Sequence, residues 1–197
     1  MMIQSHDKDP RVTRTRNLIL NAFLTLVEEK SFEAITVKDI AERATVNRAT
    51  FYDHFVDKYA LLEYVVSEAF MDIVSSRLQP KTELTEETAR GLILSMCDYQ
   101  EAINGQCKQK YSSIAALVEN KLQLQLQDIV ITMLENTTAF AGTERKKLEL
   151  VAAMISCSIY GAANHWYTSG KSTNASSAAE EILPFVISGV KAAMEKG

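Results

Sequence analysis

The sequence predicts an all-α protein, and three observations carry that prediction. Its 197 residues include only seven glycines and three prolines, so few breakers interrupt the chain. Apolar residues recur at spacings of three and four over long stretches, which is the period of an amphipathic helix. Side chains that cap helices stand directly before several of these stretches, at Thr36, Asn47 and Asp57.

Three helices are predicted at the N-terminal end. The first spans residues 13–29 and carries one apolar stripe. The second spans residues 36–44 and starts with a capping threonine, followed three residues later by an aspartate. After a tight corner, Asn47 caps a third helix of roughly two turns. Two short helices therefore meet at a sharp angle.

Longer helices follow. A fourth helix runs from the Asp57 cap to about Ser76, and residues 79–85 are the best linker candidate. The run LQLQLQ at 122–127 alternates like a strand, but its flanks continue at helical spacing and Leu and Gln favour helix, so helix is predicted. Gly105 is expected to end the first helix after the linker. The C-terminal helices are predicted at 86–103, 110–136, 144–168 and 175–195, the last crossed by Pro184.

Charge is distributed unevenly along the chain. The formal net charge is −4, which by itself argues against a nucleic-acid partner. Residues 1–60, however, carry nine Lys or Arg against nine Asp or Glu, so all of the negative balance lies in residues 61–197. A neutral N-terminal segment can still present a positive face, while an acidic remainder stays off phosphate.

The stretch TVNRATFYDHF at 45–55 predicts the functional surface. Phe51 and Phe55, at i and i+4, are expected to point inward and hold the third helix on the bundle. This arrangement is a helix-turn-helix, whose second helix enters the DNA major groove. Arginine can read guanine or bind phosphate, hydroxyls bind phosphate, and a lysine at a helix N-terminus suits phosphate. The polar groups concerned are Arg48, Thr50, Tyr52, His54 and Lys58.

A family resemblance rests on the same residues. The segment ITVKDIAERATVNRATFYDHFVDKYALL resembles the N-terminal domain of the TetR family of bacterial transcriptional regulators, and the likeness covers residues 14–62. Thr45 departs from the family, which often has glycine in the turn. A β-branched residue is poor at positive φ, so either the geometry of the corner differs from that of the family or Thr45 adds a phosphate contact. The resemblance implies DNA contacts at Thr36, Lys38, Thr45, Asn47, Arg48, Thr50, Tyr52, His54 and Lys58.

The resemblance also implies the overall organisation and function. Residues 1–56 would form the helix-turn-helix DNA-binding domain, and residues 57–197 an effector-binding and dimerisation domain that includes the connecting helix 57–76. The expected protein is a homodimeric repressor that binds a near-palindromic double-stranded DNA operator and is released by a small apolar effector. In that mechanism the effector shifts the connecting helix. The alternative is a regulator of the same fold that needs a protein partner instead of a ligand.

Two further predictions concern the C-terminal domain. An apolar effector cavity is expected among the helices at 86–103, 110–136 and 144–168, because Gln100 is a polar group on an apolar stripe; Met96, Cys97 and Met133 would be its walls. A glutamine satisfied within the core is the competing interpretation. The two last helices are expected to form the dimer interface through Ala152, Ser156, Ile159, Ala163, Ile187 and Val190.

Other functions find little support in the sequence. SGKS at 169–172 resembles the end of a phosphate-binding loop, but His165 stands where its first glycine belongs. We predict no enzyme, metal site or cofactor, although an α-helical enzyme of another kind stays an alternative. No signal peptide or membrane span is predicted, and a cytoplasmic protein is expected. Arg11, Arg14 and Arg16 are either a minor-groove arm or a solvated terminus.

Overall fold

A computed structural model describes residues 9–80, 82–107, 114–171 and 173–194, with the backbone alone for 103–107 and 194. The described residues are helical throughout their regular structure, which confirms the all-α prediction. The α-helices are α1 (Pro10–Glu29), α2 (Val37–Arg43), α3 (Arg48–His54), α4 (Lys58–Ser75), α5 (Glu86–Cys107), α6 (Ala115–Asn136), α7 (Arg145–Thr168) and α8 (Ala175–Met194).

The chain divides into two compact units. The first contains residues up to Val65 together with 107–117, and the second contains residues 66–106 and 118–197. The division falls inside α4, which runs without interruption from Lys58 to Ser75 and so contributes residues to both units. The predicted domain boundary at 56/57 stays a prediction.

Helix α1 starts three residues earlier than the sequence pattern predicts. The Asp9 carboxylate accepts a hydrogen bond of 2.8 Å from the Arg11 amide, and Pro10 occupies the first turn, where its missing N–H costs nothing. The helix buries a single stripe, as predicted, but Leu18, which the periodicity also placed on it, is 44% exposed. The fully buried members of the stripe are Ile19, Ala22, Phe23, Leu26 and Val27.

Helix α2 is fixed at its N-terminal end. At its start the Thr36 hydroxyl accepts from the Asp39 amide, and the Asp39 carboxylate accepts from the Thr36 amide, which completes a capping box. Lys30, at the end of α1, lies 2.8 Å from the Asp39 carboxylate. The Lys30 ammonium, and then the Thr36 donors, lower the pKa of Asp39 far below its usual value. Asp39 therefore caps α2 through Thr36 and also joins its first turn to the end of α1 through Lys30.

The corner between α2 and α3 places Thr45 at a φ of +58°. The Thr45 amide donates to the Glu42 carbonyl, and the Val46 amide donates to the Ala41 carbonyl, over 3.2 and 3.0 Å. These two bonds form a Schellman motif, which requires the left-handed residue to stand at position 45. The tight corner forms despite the threonine, and the β-branched side chain is strained there.

Replacing Thr45 by glycine should raise the free energy of unfolding by about 1 kcal/mol, because glycine adopts positive φ without the steric cost. Urea denaturation followed by circular dichroism measures the change. Thr45→Ala is the matched control, since it keeps the strained Cβ and should gain little. Equal stability of the glycine and alanine variants would contradict the strain at this corner.

The second unit corrects one predicted helix end. Helix α5 continues through Gly105 to Cys107, so the glycine does not terminate it. A glycine inside a helix costs only about 1 kcal/mol relative to alanine, which a long helix tolerates. Residues 122–127 lie within α6, as predicted, and α7 ends before the loop at 169–174. No helix among the described residues is long and apolar enough to cross a membrane.

Two of the three predicted walls of an effector cavity belong to the closed core. Met96 and Cys97 are fully buried, and Gln100 is buried beside them. Gln100 shares a hydrogen bond with Tyr160 of α7. The polar group that suggested a cavity is therefore engaged by the protein itself, which was the competing interpretation.

The predicted interface positions on α7 also face inward. Ala152, Ser156, Ile159 and Ala163 are all buried within the protomer, as is Val190 of α8, while Ile187 is partly exposed. These α7 side chains are therefore covered within the protomer itself. The outward side of α7 carries Leu150, Met154, Cys157 and Gly161 instead, all of them exposed.

Candidate nucleic-acid interface

Helix α3 presents one polar side and one buried side, as predicted. Phe51 is fully buried and Phe55, the residue that ends the helix, is 7% exposed. Their rings lie 6.0 Å apart, and Phe55 contacts Tyr64 of α4 edge to face. These aromatic contacts hold α3 against the rest of the first unit and fix which of its side chains face solvent.

The outward side of α3 is formed by Arg48, Ala49, Tyr52 and Asp53, all exposed. The rings of Tyr52 and Phe51 are nearly perpendicular, with their centroids 5.5 Å apart. Tyr52 nevertheless remains 54% exposed. Arg48 has no hydrogen bond or ion pair to any residue that the structure describes. A guanidinium and a phenol with free donors therefore stand side by side on one turn of helix.

Sequence reasoning missed Ala49 and Asp53. Ala49 has no polar group, and Asp53 carries the wrong charge for phosphate, so neither attracted attention. Their spacing was the available signal, because Ala49 lies three residues before Tyr52 and Asp53 lies four residues after Ala49, which places them along one side of the helix. An exposed alanine methyl can contact a thymine methyl, and a carboxylate can accept from a cytosine amino group.

Three of the predicted contact residues are engaged in caps. The Asn47 side chain accepts from the Thr50 amide at 2.7 Å and from the Thr50 hydroxyl at 3.1 Å. Thr36 donates its hydroxyl to Asp39 at 2.8 Å. These groups build the helix ends that orient α2 and α3. The Thr36 and Thr50 hydroxyls have used their hydrogens in these bonds, whereas the Asn47 amide nitrogen keeps two donors. Lys38 is exposed, with Glu42 one turn away at 3.7 Å.

His54 lies at the flank of α3, not on its outward side. Burial lowers the pKa of His54, the nearby Arg16 cation lowers it further, and Asp53 opposes the shift. These effects together favour the neutral imidazole. The Arg16 guanidinium in turn lies 5.6 Å from the centre of the Tyr64 ring. Arg11, Arg14 and Arg16 all belong to α1, so they do not form an extended minor-groove arm.

Lys58 occupies a place that the sequence does not reveal. Its ammonium group donates to the main-chain carbonyls of Phe32, Glu33 and Ile35 over 2.9, 3.2 and 2.8 Å. It also lies 4.6 Å from the centre of the Phe32 ring. An ammonium has three hydrogens, and here all three have acceptors. Lys58 fastens the start of α4 to the segment that precedes α2, which differs from the predicted phosphate contact.

Lys58→Met should lower the free energy of unfolding by about 2 kcal/mol in the absence of DNA, because three carbonyls lose a charged donor. Lys38→Met serves as the matched control, since that side chain is exposed, and should change stability by less than about 0.5 kcal/mol. Urea denaturation of both variants makes the comparison. A Lys58 variant as stable as the wild type would contradict the structural role of the three carbonyl bonds and would favour the predicted phosphate contact.

Comparison with known proteins places this segment in a family. Residues 19–65 match the model described as bacterial regulatory proteins, tetR family. The chain is also 39% identical over 67 residues to an uncharacterised helix-turn-helix-type transcriptional regulator, YxbF, from Bacillus subtilis strain 168. That match covers 34% of this chain and 18% of the relative, so the chain spans less than two thirds of its length. The sequence likeness is concentrated in the N-terminal unit.

Solved structures extend the likeness to the fold of nearly the whole chain. A tetR-family regulator from Streptomyces coelicolor A3 superimposes with a TM-score of 0.62 at 18% identity, covering 93% of this chain and 98% of that one. The regulator RolR in complex with resorcinol gives 0.54 at 18% identity, covering 93% of this chain and 94% of that one. At these identities the likeness concerns the fold alone.

Proposed function

Because residues 19–65 of this chain match the model of the tetR family of bacterial regulatory proteins, we propose that the protein represses transcription by binding an operator through α3. The observation that carries the proposal is the outward side of α3, where a guanidinium without a partner among the described residues stands beside an exposed phenol. The aromatic contacts behind them hold this side rigid, so the protein meets DNA with its contact groups already placed.

Each residue of the outward side has a distinct role in this proposal. Arg48, at the first position of α3, donates two parallel hydrogen bonds to a guanine edge. The Tyr52 hydroxyl binds a backbone phosphate and sets the depth of the helix in the groove. Ala49 contacts a thymine methyl, and Asp53 disfavours phosphate and accepts from cytosine. Thr36, Asn47 and Thr50 act by holding the helix ends, with Lys38 and Thr45 at the rim.

A second copy of the chain covers an apolar face of α7 and α8. Leu150, Met154 and Phe185 are 62%, 54% and 71% exposed, which is unusual for large apolar side chains in a core helix pair. On α7 the exposed face continues one turn at a time through Cys157 to Gly161. Pairing of this face with its copy makes a two-fold dimer, and a two-fold dimer reads a near-palindromic site.

Release of DNA by a small effector completes the proposed mechanism. Helix α4 joins Lys58, which is bonded to three carbonyls before α2, to residues of the second unit. An effector that prefers a displaced α4 therefore disfavours the DNA-bound arrangement, and it weakens DNA binding by its ratio of affinities for the two states. A regulator that needs a protein partner instead would share α3 and the dimer but respond to no small molecule.

Selection from a pool of random duplexes tests the DNA-binding proposal. We expect enrichment of two half-sites whose centres lie about one helical turn or a multiple of it apart, with affinity that falls steeply as salt rises. Absence of salt-dependent binding to any duplex would contradict it. Single, unpaired half-sites in the selected pool would contradict the dimeric arrangement while leaving the role of α3 intact.

A further inference from the structure

A groove lies in the second unit between the C-terminal end of α4, the segment after it and α6. It has a volume of about 340 Å³, which is within the range of small-molecule sites. Its apolar walls include Met71 and Val74 from α4 and Ile129 and Met133 from α6. Met133 is the single residue it shares with the cavity predicted from the sequence.

The packing of α4 on α6 explains why the groove opens where it does. One turn before Met71, the Ser67 hydroxyl donates to the Gln125 side-chain oxygen at 2.9 Å. The Gln125 amide nitrogen donates back to the Ser67 carbonyl at 3.1 Å. This reciprocal pair, the Ser67–Gln125 clamp, holds the two helices together. The groove lies beyond this clamp, next to Met71 and Ile129.

The three hydroxyls of the groove act as acceptors. Ser75 donates its hydroxyl hydrogen to the Asp72 carbonyl, and Thr132 donates its own to the Asp128 carbonyl, over 3.0 and 2.9 Å. The Thr82 hydroxyl likewise donates to the Gln79 carbonyl. Each hydroxyl has one hydrogen, so each offers the groove lone pairs alone. Among the described lining residues none carries a charge.

We propose that this groove is a binding site for a compact, uncharged, mostly apolar molecule that bears a hydrogen-bond donor, such as a phenol or an alcohol. A donor satisfies the hydroxyl lone pairs, whereas a group that only accepts can be met in this lining by the Gln79 side-chain amide alone. The apolar part of the ligand packs against the methionines, whose flexible side chains adapt to its outline. In the proposed function, this groove would be the effector site, and the effector would be a molecule of this chemical class.

Occupancy of the groove acts on α4 about the clamp. The Ser67–Gln125 bonds fix the middle of α4, so a molecule seated between Met71 and Met133 moves the end of the helix that lies beyond them. The consequence for DNA rests on the proposed function, but binding in the groove does not. The two can therefore fail separately.

The test uses full-length protein labelled with ¹³C at its methionine methyl groups and 2-naphthol as the probe. We expect saturable shifts of the Met71 and Met133 signals with a Kd of about 1 mM or tighter. Met96, in the closed core, and Met154, on α7, are internal controls whose signals should not move. 2-Methoxynaphthalene, which lacks the donor, should bind at least tenfold more weakly.

A groove-filling variant makes the assignment specific. Ser75→Trp should reduce 2-naphthol binding at least tenfold, while Ser76→Trp, at the neighbouring exposed position outside the lining, should leave it unchanged. Shifts centred on Met96, equal binding of the methoxy compound, or tighter binding of 2-naphthoate would overturn the proposal. So would shifts of Met71 and Met133 that grow with protein concentration in the absence of any probe, because a second copy would then occupy the groove.

Discussion

Phe185→Glu should convert the protein from a dimer to a monomer and abolish operator binding. The proposed two-fold interface places this side chain, 71% exposed in the protomer, against a second copy. A carboxylate there would be buried without a partner on both sides of the interface. Such burial costs at least about 3 kcal/mol, which weakens association roughly 100-fold or more. Sedimentation equilibrium measures the association, and fluorescence anisotropy with a selected duplex measures the DNA binding.

Leu124→Glu is the matched control for this change. Leu124 lies on α6 and is 52% exposed, but it is not part of the α7 and α8 face. Its replacement introduces the same charge and should leave both the dimer and DNA affinity unchanged. A Phe185 variant that remains dimeric at micromolar concentration would show that the second copy binds elsewhere.

Arg48→Ala should lower the affinity for the selected operator by about 1 to 3 kcal/mol per half-site and relax the base preference at one position of each half-site. The fold should not change, because the Arg48 side chain has no partner in the described part of the chain. Arg48→Lys distinguishes the two roles open to an arginine. Lysine keeps the charge for a phosphate but cannot form two parallel bonds to guanine.

We expect the lysine variant to bind the operator almost as weakly as the alanine variant does. Both variants should bind unrelated duplexes with an affinity similar to that of the wild-type protein. Competition titrations with operator and random DNA measure the two affinities side by side. An alanine variant that weakens all duplexes equally, with a lysine variant that restores them, would assign Arg48 to phosphate. An unchanged operator affinity would remove Arg48 from the interface.

The sequence was informative where a structure depends on neighbours in the chain. The capping box of Thr36 and Asp39, the Asn47 cap and the inward pair Phe51 and Phe55 all follow from spacings of three or four residues. The structure contains each of them. The left-handed residue in the corner follows equally from the short connection, and Thr45 adopts it despite its side chain.

The sequence was not informative where contacts join distant parts of the chain. The carbonyls that hold Lys58 lie 23 to 26 residues earlier and leave no pattern. Along AAMISCSIYGAA both sides of α7 are apolar, so periodicity alone cannot distinguish the core side from the exposed side. The groove depends on how the end of α4 and the segment after it pack on α6, and no local signal encodes that arrangement.

The central claim is that the outward side of α3 contacts DNA, and photo-crosslinking tests it most directly. Position 52 would carry p-benzoylphenylalanine in place of Tyr52, and position 24 would carry it in place of Leu24, an exposed residue of α1. With the selected operator we predict efficient crosslinks from position 52 to bases or backbone inside each half-site, and none from position 24. Operator binding without any crosslink from position 52 would contradict the claim that α3 is the recognition helix.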